Sequence, residues 1–261
     1  MTRIADRYDA FLFDLDGVLY RGSEPVAHAA DAVGCLRQLG KGLAFVTNNS
    51  SRTPDEVAQR LRAVGVTAAP SEVVTSALVT GEVLGARGVR TAFVVGERGL
   101  RDALAANGVE VLAGEPREAD AVVVGWDRRA DYDAFRIASV LVERGAALVA
   151  SNPDVSFPAA GGEVWPGAGA LLAVITATTG AQAEVIGKPH APLLEAARAR
   201  AGGGVSLLVG DRLDTDIAGA VALGWDSMLV LTGVSTRDDL RVAGFSPTYT
   251  AEDLSLLVED D

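Results

Sequence analysis

The chain has 261 residues, enough for two domains, and its 49% hydrophobic and 22% charged residues are the balance of a globular protein rather than a disordered one. Its formal net charge of -12 leaves no basic face for nucleic acid or an anionic membrane, so an anionic substrate must be neutralised locally. Cys35 is the only cysteine, which excludes an intramolecular disulfide and speaks against a zinc cluster. The amino-terminal MTRIADRYDA lacks the apolar stretch of a signal peptide, and no apolar run reaches the length of a membrane span. A soluble cytoplasmic protein is expected.

Short apolar runs alternate with helical patterns, which predicts a parallel α/β fold. Ala10–Phe13 reads as the first strand and runs into Asp14-Leu15-Asp16-Gly17. A helix is expected from Pro25 to Leu39, with Val26, Ala29, Ala30, Val33 and Leu36 on one face and Gly40 as its stop. Leu43–Val46 is the second strand, followed by Thr47-Asn48-Asn49-Ser50-Ser51. Thr53-Pro54-Asp55-Glu56 then opens a helix with a cap, a first-turn proline and a capping box, running to about Val64.

Further strands are expected at Thr91–Val95, Val109–Leu112, Ala121–Gly125 and Ala147–Ala150, with helices near 98–107, 131–144 and 169–178. A helix from about Pro192 to Arg200 leads to Gly202–Gly204, read as a flexible connection. Val205–Asp211 ends another strand in acid, Asp214 is placed as the cap of a helix over Thr215–Leu223, and Ser227–Leu231 is the last strand.

Open parallel sheets gather functional groups beyond the carboxyl ends of their strands. Here Asp14 and Asp16 follow the first strand, Thr47, Asn48 and Asn49 the second, Lys188 follows Val185-Ile186-Gly187, and Asp211 ends a later strand with Asp216 beyond it. Side chains two apart in an extended segment face the same way, so Asp14 and Asp16 can address one substrate. One carboxylate can attack phosphorus, while the other protonates the leaving alkoxide and later deprotonates water. Carboxylates crowding a phosphate repel it, so a hard divalent cation is needed, and all-oxygen ligands favour magnesium. Thr47 and Lys188 would hold the phosphoryl oxygens.

DLDGV, TNNSS, GKP and GDRLDTDI, in that order, resemble the four motifs of the haloacid dehalogenase superfamily of phosphatases. The intervening α/β stretch resembles the type-2 cap of class IIA. VVVGWDRRADYDAF, SNPDVSFP and WPGAGALL are similar to cap segments of phosphoglycolate and p-nitrophenyl phosphatases. The similarity runs from about Tyr8 to Thr232. It implies a Rossmann-like parallel core, discontinuous over 1–78 and 183–261, with an inserted cap over 79–182. It also implies that Asp14 is the nucleophile and Asp16 the general acid/base, and that magnesium takes Asp14, the Asp16 carbonyl and Asp211. Asp216 becomes an outer support, and Asn48, through its N–H, joins Thr47 and Lys188 on the phosphate. A homodimer through the cap is left open.

Other readings are weaker. An EF-hand needs glycine at loop position six, where Leu19 stands. A receiver-like phospho-acceptor module uses aspartates, a threonine and a lysine on a parallel sheet, but at about half this length, with no cap and no use for Asp16. A dehalogenase likewise has no use for Asp16 as acid. Asn49 and Ser50 also suit helix capping, and His28 and His190 read as bystanders. The expected substrate is a small phosphorylated metabolite: phosphoglycolate, glycerol phosphate, pyridoxal phosphate, a nucleoside monophosphate or p-nitrophenyl phosphate. The loop Asn152–Pro158 is expected to face it. Phe157 there either meets substrate or packs inside the cap.

Overall fold

The computed structural model describes residues 3–158 and 163–259. In chain order, β1 is Ala10–Phe13, β2 Tyr20–Arg21, β3 Glu24–Pro25, α1 Ala29–Gln38, β4 Gly42–Thr47, α2 Pro54–Ala63 and β5 Val73–Thr75. There follow α3 Ser76–Ala86, β6 Thr91–Val95, α4 Arg98–Ala106, β7 Glu110–Leu112, β8 Ala121–Val124, α5 Tyr132–Glu143 and β9 Ala147–Ala150. Next come β10 Ser156–Pro158, β11 Val164–Pro166, α6 Ala168–Thr179, β12 Glu184–Val185 and α7 Ala191–Arg200. The last elements are β13 Ser206–Gly210, α8 Ala218–Leu223, β14 Asp226–Val230, α9 Arg237–Val242 and β15 Tyr249–Ala251.

These elements fall into two compact units. The first holds the residues up to Thr47, Pro54–Val74 and those from Lys188 onward; the second holds Asn48–Thr53 and Thr75–Gly187. The chain therefore changes unit directly after Thr47 and directly before Lys188. The six residues Asn48–Thr53, expected with the core, group with the second unit.

The sheet of the first unit has the order β15-β14-β13-β1-β4-β5. β1 lies in its interior, parallel to β13 on one side (Phe13↔Val209) and to β4 on the other (Phe13↔Phe45). A strand covered on both faces has no use for polar alternation, and all four residues of β1 are buried. Phe11, Phe13 and Phe45 stack in succession with ring centroids 6.3 Å apart, in a core that includes Leu36, Leu61 and Val209. The second unit has its own sheet, β12-β9-β8-β6-β7, with Val122, Val124 and Ile175 in its core.

Several expectations need correction. The helix expected from Pro25 begins at Ala29, because Glu24–Pro25 pairs antiparallel with Tyr20–Arg21 in a two-stranded ribbon, where a proline is tolerated. Asp214 is not the cap of α8: it lies inside a π turn, Leu213–Ile217, that precedes α8, and it pairs with Arg212 at 2.8 Å. Gly202, Gly203 and Gly204, expected as a flexible connection, all take positive φ (89, 73 and 78), and Gly203 N–H closes α7 on Arg198 O. The patterns did not predict α3. It carries Gly81 and Gly85, where a Cβ would lie 2.4 Å from Ala103 O and 2.6 Å from Asn107 O, so glycine there admits the backbone of α4 and the loop behind it. β15 and α9 were also absent from the expected elements.

Candidate active site

The site in the first unit is built at the carboxyl ends of β1, β4 and β13. Asp14 follows the last residue of β1, and its N–H donates to Val209 O at 2.8 Å, so the ladder with β13 sets where its carboxylate starts. Asp211 follows β13. Asp14, Asp211 and Asp216 are all buried, and each offers a carboxylate oxygen within 4.8 Å of the others. The Lys188 ammonium is 2.5 Å from Asp14 Oδ1 and 2.6 Å from Asp216 Oδ1, in a site where Lys188 is 2% exposed. Thr47, the last residue of β4, is buried, and Asp16 is half-buried beside Asp14.

The charges are unbalanced. Burial raises the Asp14 carboxyl, Lys188 opposes that rise, and Asp16 adds to it. Burial, with the Asp14 and Asp216 charges alongside, pushes Asp211 up to about 8. Burial also pushes Asp216 up to about 6 against the pull of Lys188. Burial tends to discharge Lys188, but the two carboxylates in contact with it win and hold it protonated. One ammonium thus faces three buried carboxylates, an arrangement that calls for further positive charge.

Asp211 shows where that charge fits. Its Oδ2 accepts from Val234 N–H at 2.7 Å, whereas its buried Oδ1 has no hydrogen-bond partner. An orphaned carboxylate oxygen among other carboxylates suits a hard cation. The surroundings are shaped for it. Gly17 has φ +85, and a Cβ there would lie 2.4 Å from Asp211 Oδ2; one at Gly233 would lie 1.9 Å away. A Cβ at Gly210 would meet that of Asp216 at 2.2 Å, and Asp216 Oδ2 also accepts from Arg212 N–H. Sequence reasoning missed Gly17, Gly210 and Gly233 as parts of the site. The first two stand next to or near an acidic residue, the only local signal; Gly233 carries none.

The remaining predicted residues lie in the second unit. Asn48 is buried, its Nδ2 donating to both carboxylate oxygens of Asp154 at 3.2 Å. Asn49 Oδ1 accepts from both the N–H and the hydroxyl of Ser51, a local turn. Phe157, in β10, is half-buried and stacks on Trp126 with centroids 4.5 Å apart and planes at 25°. Trp126 was not singled out from the sequence, although it stands in one of the quoted cap segments. Its indole N–H donates to Pro166 O at 3.0 Å.

A haloacid dehalogenase-like hydrolase model matches residues 11–110, and a HAD-hydrolase-like model matches 185–257. An acid sugar phosphatase of Staphylococcus epidermidis is 37% identical over 256 residues, 97% of this chain and 98% of that protein. The chain belongs to the haloacid dehalogenase-like hydrolases. Among these hydrolases it is also similar to a 5'-nucleotidase of Bacillus subtilis, 37% identical over 95% of this chain and 96% of that protein. A solved glycerol phosphate phosphatase of Mycobacterium tuberculosis, in complex with magnesium, superposes with a TM-score of 0.93 at 37% identity, covering all of this chain and 79% of that one. Like these relatives, this haloacid dehalogenase-like hydrolase is a phosphoric monoester hydrolase.

Proposed function

We propose that the chain hydrolyses the phosphate ester of a small metabolite through an aspartyl-phosphate on Asp14, with magnesium as its cation. The observation that carries this reading is the buried cluster of Asp14, Asp211, Asp216 and Lys188 with Asp211 Oδ1 left unpartnered. Asp14, the backbone carbonyl of Asp16 and Asp211 would hold the cation, which when bound offsets the charge of the phosphate and of the carboxylates around it. Asp216 supports Lys188.

In the first step Asp14 attacks phosphorus, the bond to the ester oxygen breaks, and Asp16 gives that oxygen its proton. In the second, Asp16 takes a proton from water, the hydroxide attacks phosphorus, and phosphate leaves as the Asp14 carboxylate is restored. Lys188, Thr47 and the Asn48 N–H grip the phosphoryl oxygens throughout, with Asn49 beside them. Phosphoglycolate, glycerol phosphate, pyridoxal phosphate, nucleoside monophosphates and p-nitrophenyl phosphate are the substrates to screen, and the relatives add sugar phosphates. The second unit is read as the cap of class IIA, with its loop from Asn152 and the Trp126–Phe157 stack serving the leaving group. A homodimer through this unit, where Val164 and Trp165 are exposed, is tested by light scattering. No helix among the described residues is long and apolar enough to cross a membrane, and the cytoplasm is the proposed compartment. A receiver-like module without turnover has no support among relatives named as hydrolases.

The test is Asp16→Asn. A good leaving group such as p-nitrophenolate needs little protonation, so the variant should release a burst of p-nitrophenol and accumulate phosphoenzyme, while an alkyl phosphate loses far more of its first-step rate. Equal losses for both esters with no trapped phosphoenzyme would overturn the roles of Asp14 and Asp16.

A further inference from the structure

The segment that follows Thr47 is tied to the second unit by an unusually dense set of bonds. Asn48 O accepts from Ser76 Oγ at 2.7 Å and from Asn152 Nδ2 at 2.6 Å, both bonds buried. Asn152 Oδ1 in turn accepts from Asp154 N–H, and the Asp154 carboxylate receives the Asn48 amide. Further along, Ser51 O accepts from Gly99 N–H, and Ser50 Oγ accepts from Trp126 N–H. Asn48 is thus restrained at its carbonyl and at its side chain, and its N–H lies in the peptide it shares with Thr47.

The same knot reaches the other crossing. A Cβ at Gly187 would lie 2.5 Å from Ser151 O, 2.6 Å from Asn48 Oδ1 and 3.0 Å from Asn152 Cβ. Gly187 immediately precedes Lys188. So Asn48, Asn152 and Gly187 lie against one another within the second unit. A buried amide here costs free energy unless its donor and acceptor are both used, and both are.

We infer that Asn152, with Ser76 as its partner, is a positioning residue for phosphate binding: it fixes the Asn48 backbone so that the Asn48 N–H meets the phosphoryl group. This rests on the proposed phosphatase reading of Thr47, Asn48 and Lys188. It changes what the segment from Asn152 does. Rather than facing substrate, its first residue holds the phosphate grip in shape. Every substrate shares the phosphoryl group, so the consequence falls on all leaving groups alike.

Asn152→Asp keeps the shape and removes the donor, placing an acceptor against the Asn48 carbonyl. With p-nitrophenyl phosphate and an alkyl phosphate, kcat should fall about tenfold or more for both, in line with the loss of an oriented donor. Inhibition by inorganic phosphate should weaken by a similar factor. Circular dichroism and Tm show whether the variant is folded; if it is not, Ser76→Ala removes the other donor and is read the same way. Unchanged kinetics and phosphate inhibition in a folded variant overturn the proposal, as does a lowered Tm with normal kinetics, which leaves Asn152 a purely structural role. A loss confined to one leaving group also overturns it, by putting Asn152 on the substrate. A wild-type chain that hydrolyses neither ester sinks the phosphatase reading itself, a result distinguishable from all of these.

Discussion

Lys188 donates to Asp216 at 2.6 Å, and the two form a fully buried ion pair. On the proposed mechanism, Asp216 acts through the lysine. Asp216→Asn should keep the shape of the pair but weaken the hold on the ammonium, and kcat/KM should fall about 10–100-fold, the usual cost of removing an outer partner. Lys188→Ala should cost more, about a hundredfold or beyond in kcat, because a charge donor to the phosphoryl group is lost. Equal activity for Asp216→Asn and wild type would show that Lys188 needs no such support. Steady-state kinetics on one ester decides both.

Asp14→Asn should abolish turnover with circular dichroism unchanged, since an amide neither attacks phosphorus nor carries the charge that a cation requires. Mass spectrometry of the quenched reaction should find phosphoenzyme in wild type and none in the variant. Near-normal turnover would remove Asp14 as the nucleophile.

The raised carboxyls make a prediction about pH. Asp211 is pushed up to about 8 and Asp216 to about 6, while both titrate near 4 in the unfolded chain. Between those limits the folded, cation-free protein keeps protons that the unfolded chain has released, so its stability falls as pH rises. Each such proton is worth ~1.4 kcal/mol per pH unit, or about 3–6 °C in Tm for a chain of this size. In excess EDTA, Tm should drop from about pH 5 to pH 8, and the gain on adding magnesium should widen over the same range. Activity should vanish with the chelator. A magnesium gain that is flat or shrinks with pH would separate the cation from these carboxylates.

Gly233→Ala should cost cation affinity before it costs the fold. The added methyl would meet Asp211 Oδ2 at 1.9 Å and displace the carboxylate from the Val234 N–H that orients it. Half-saturation by magnesium should shift upward by about tenfold or more, in the range of lost outer contacts to a metal ligand. Unchanged magnesium dependence in a folded variant would show that Asp211 is free to move.

The parts of this site written locally were legible. An acidic residue closing an apolar run marks a strand end, and Asp14 and Asp211 announce themselves in that way. Thr47 and Lys188 were legible in the same way, as polar residues that follow apolar strand-like runs, and the family motifs added their order along the chain. What stayed hidden depends on approach between distant segments. Gly233 is a glycine because Asp211 presses on it from 22 positions away, and nothing near Gly233 says so. The helix α3 escaped because Gly81 and Gly85, placed for contact with α4, weaken its helical pattern. The partner of Phe157 lay 31 residues upstream at Trp126, and stacking across that gap has no periodicity to betray it.

The placement of β1 between β4 and β13 also dictates an order of events at birth. Ala10 pairs with Ser206, so β1 lacks one of its two neighbours until β13 has been made. The second unit is almost wholly contiguous over Thr75–Gly187 and can be finished on the ribosome before its host. The residues up to Val74 must wait beside it with a long non-local pairing outstanding, a slow step by its topology. Asp211 and Asp216 arrive only with that closing strand or after it, so the nascent chain carries its proposed nucleophile long before the carboxylates proposed to work with it.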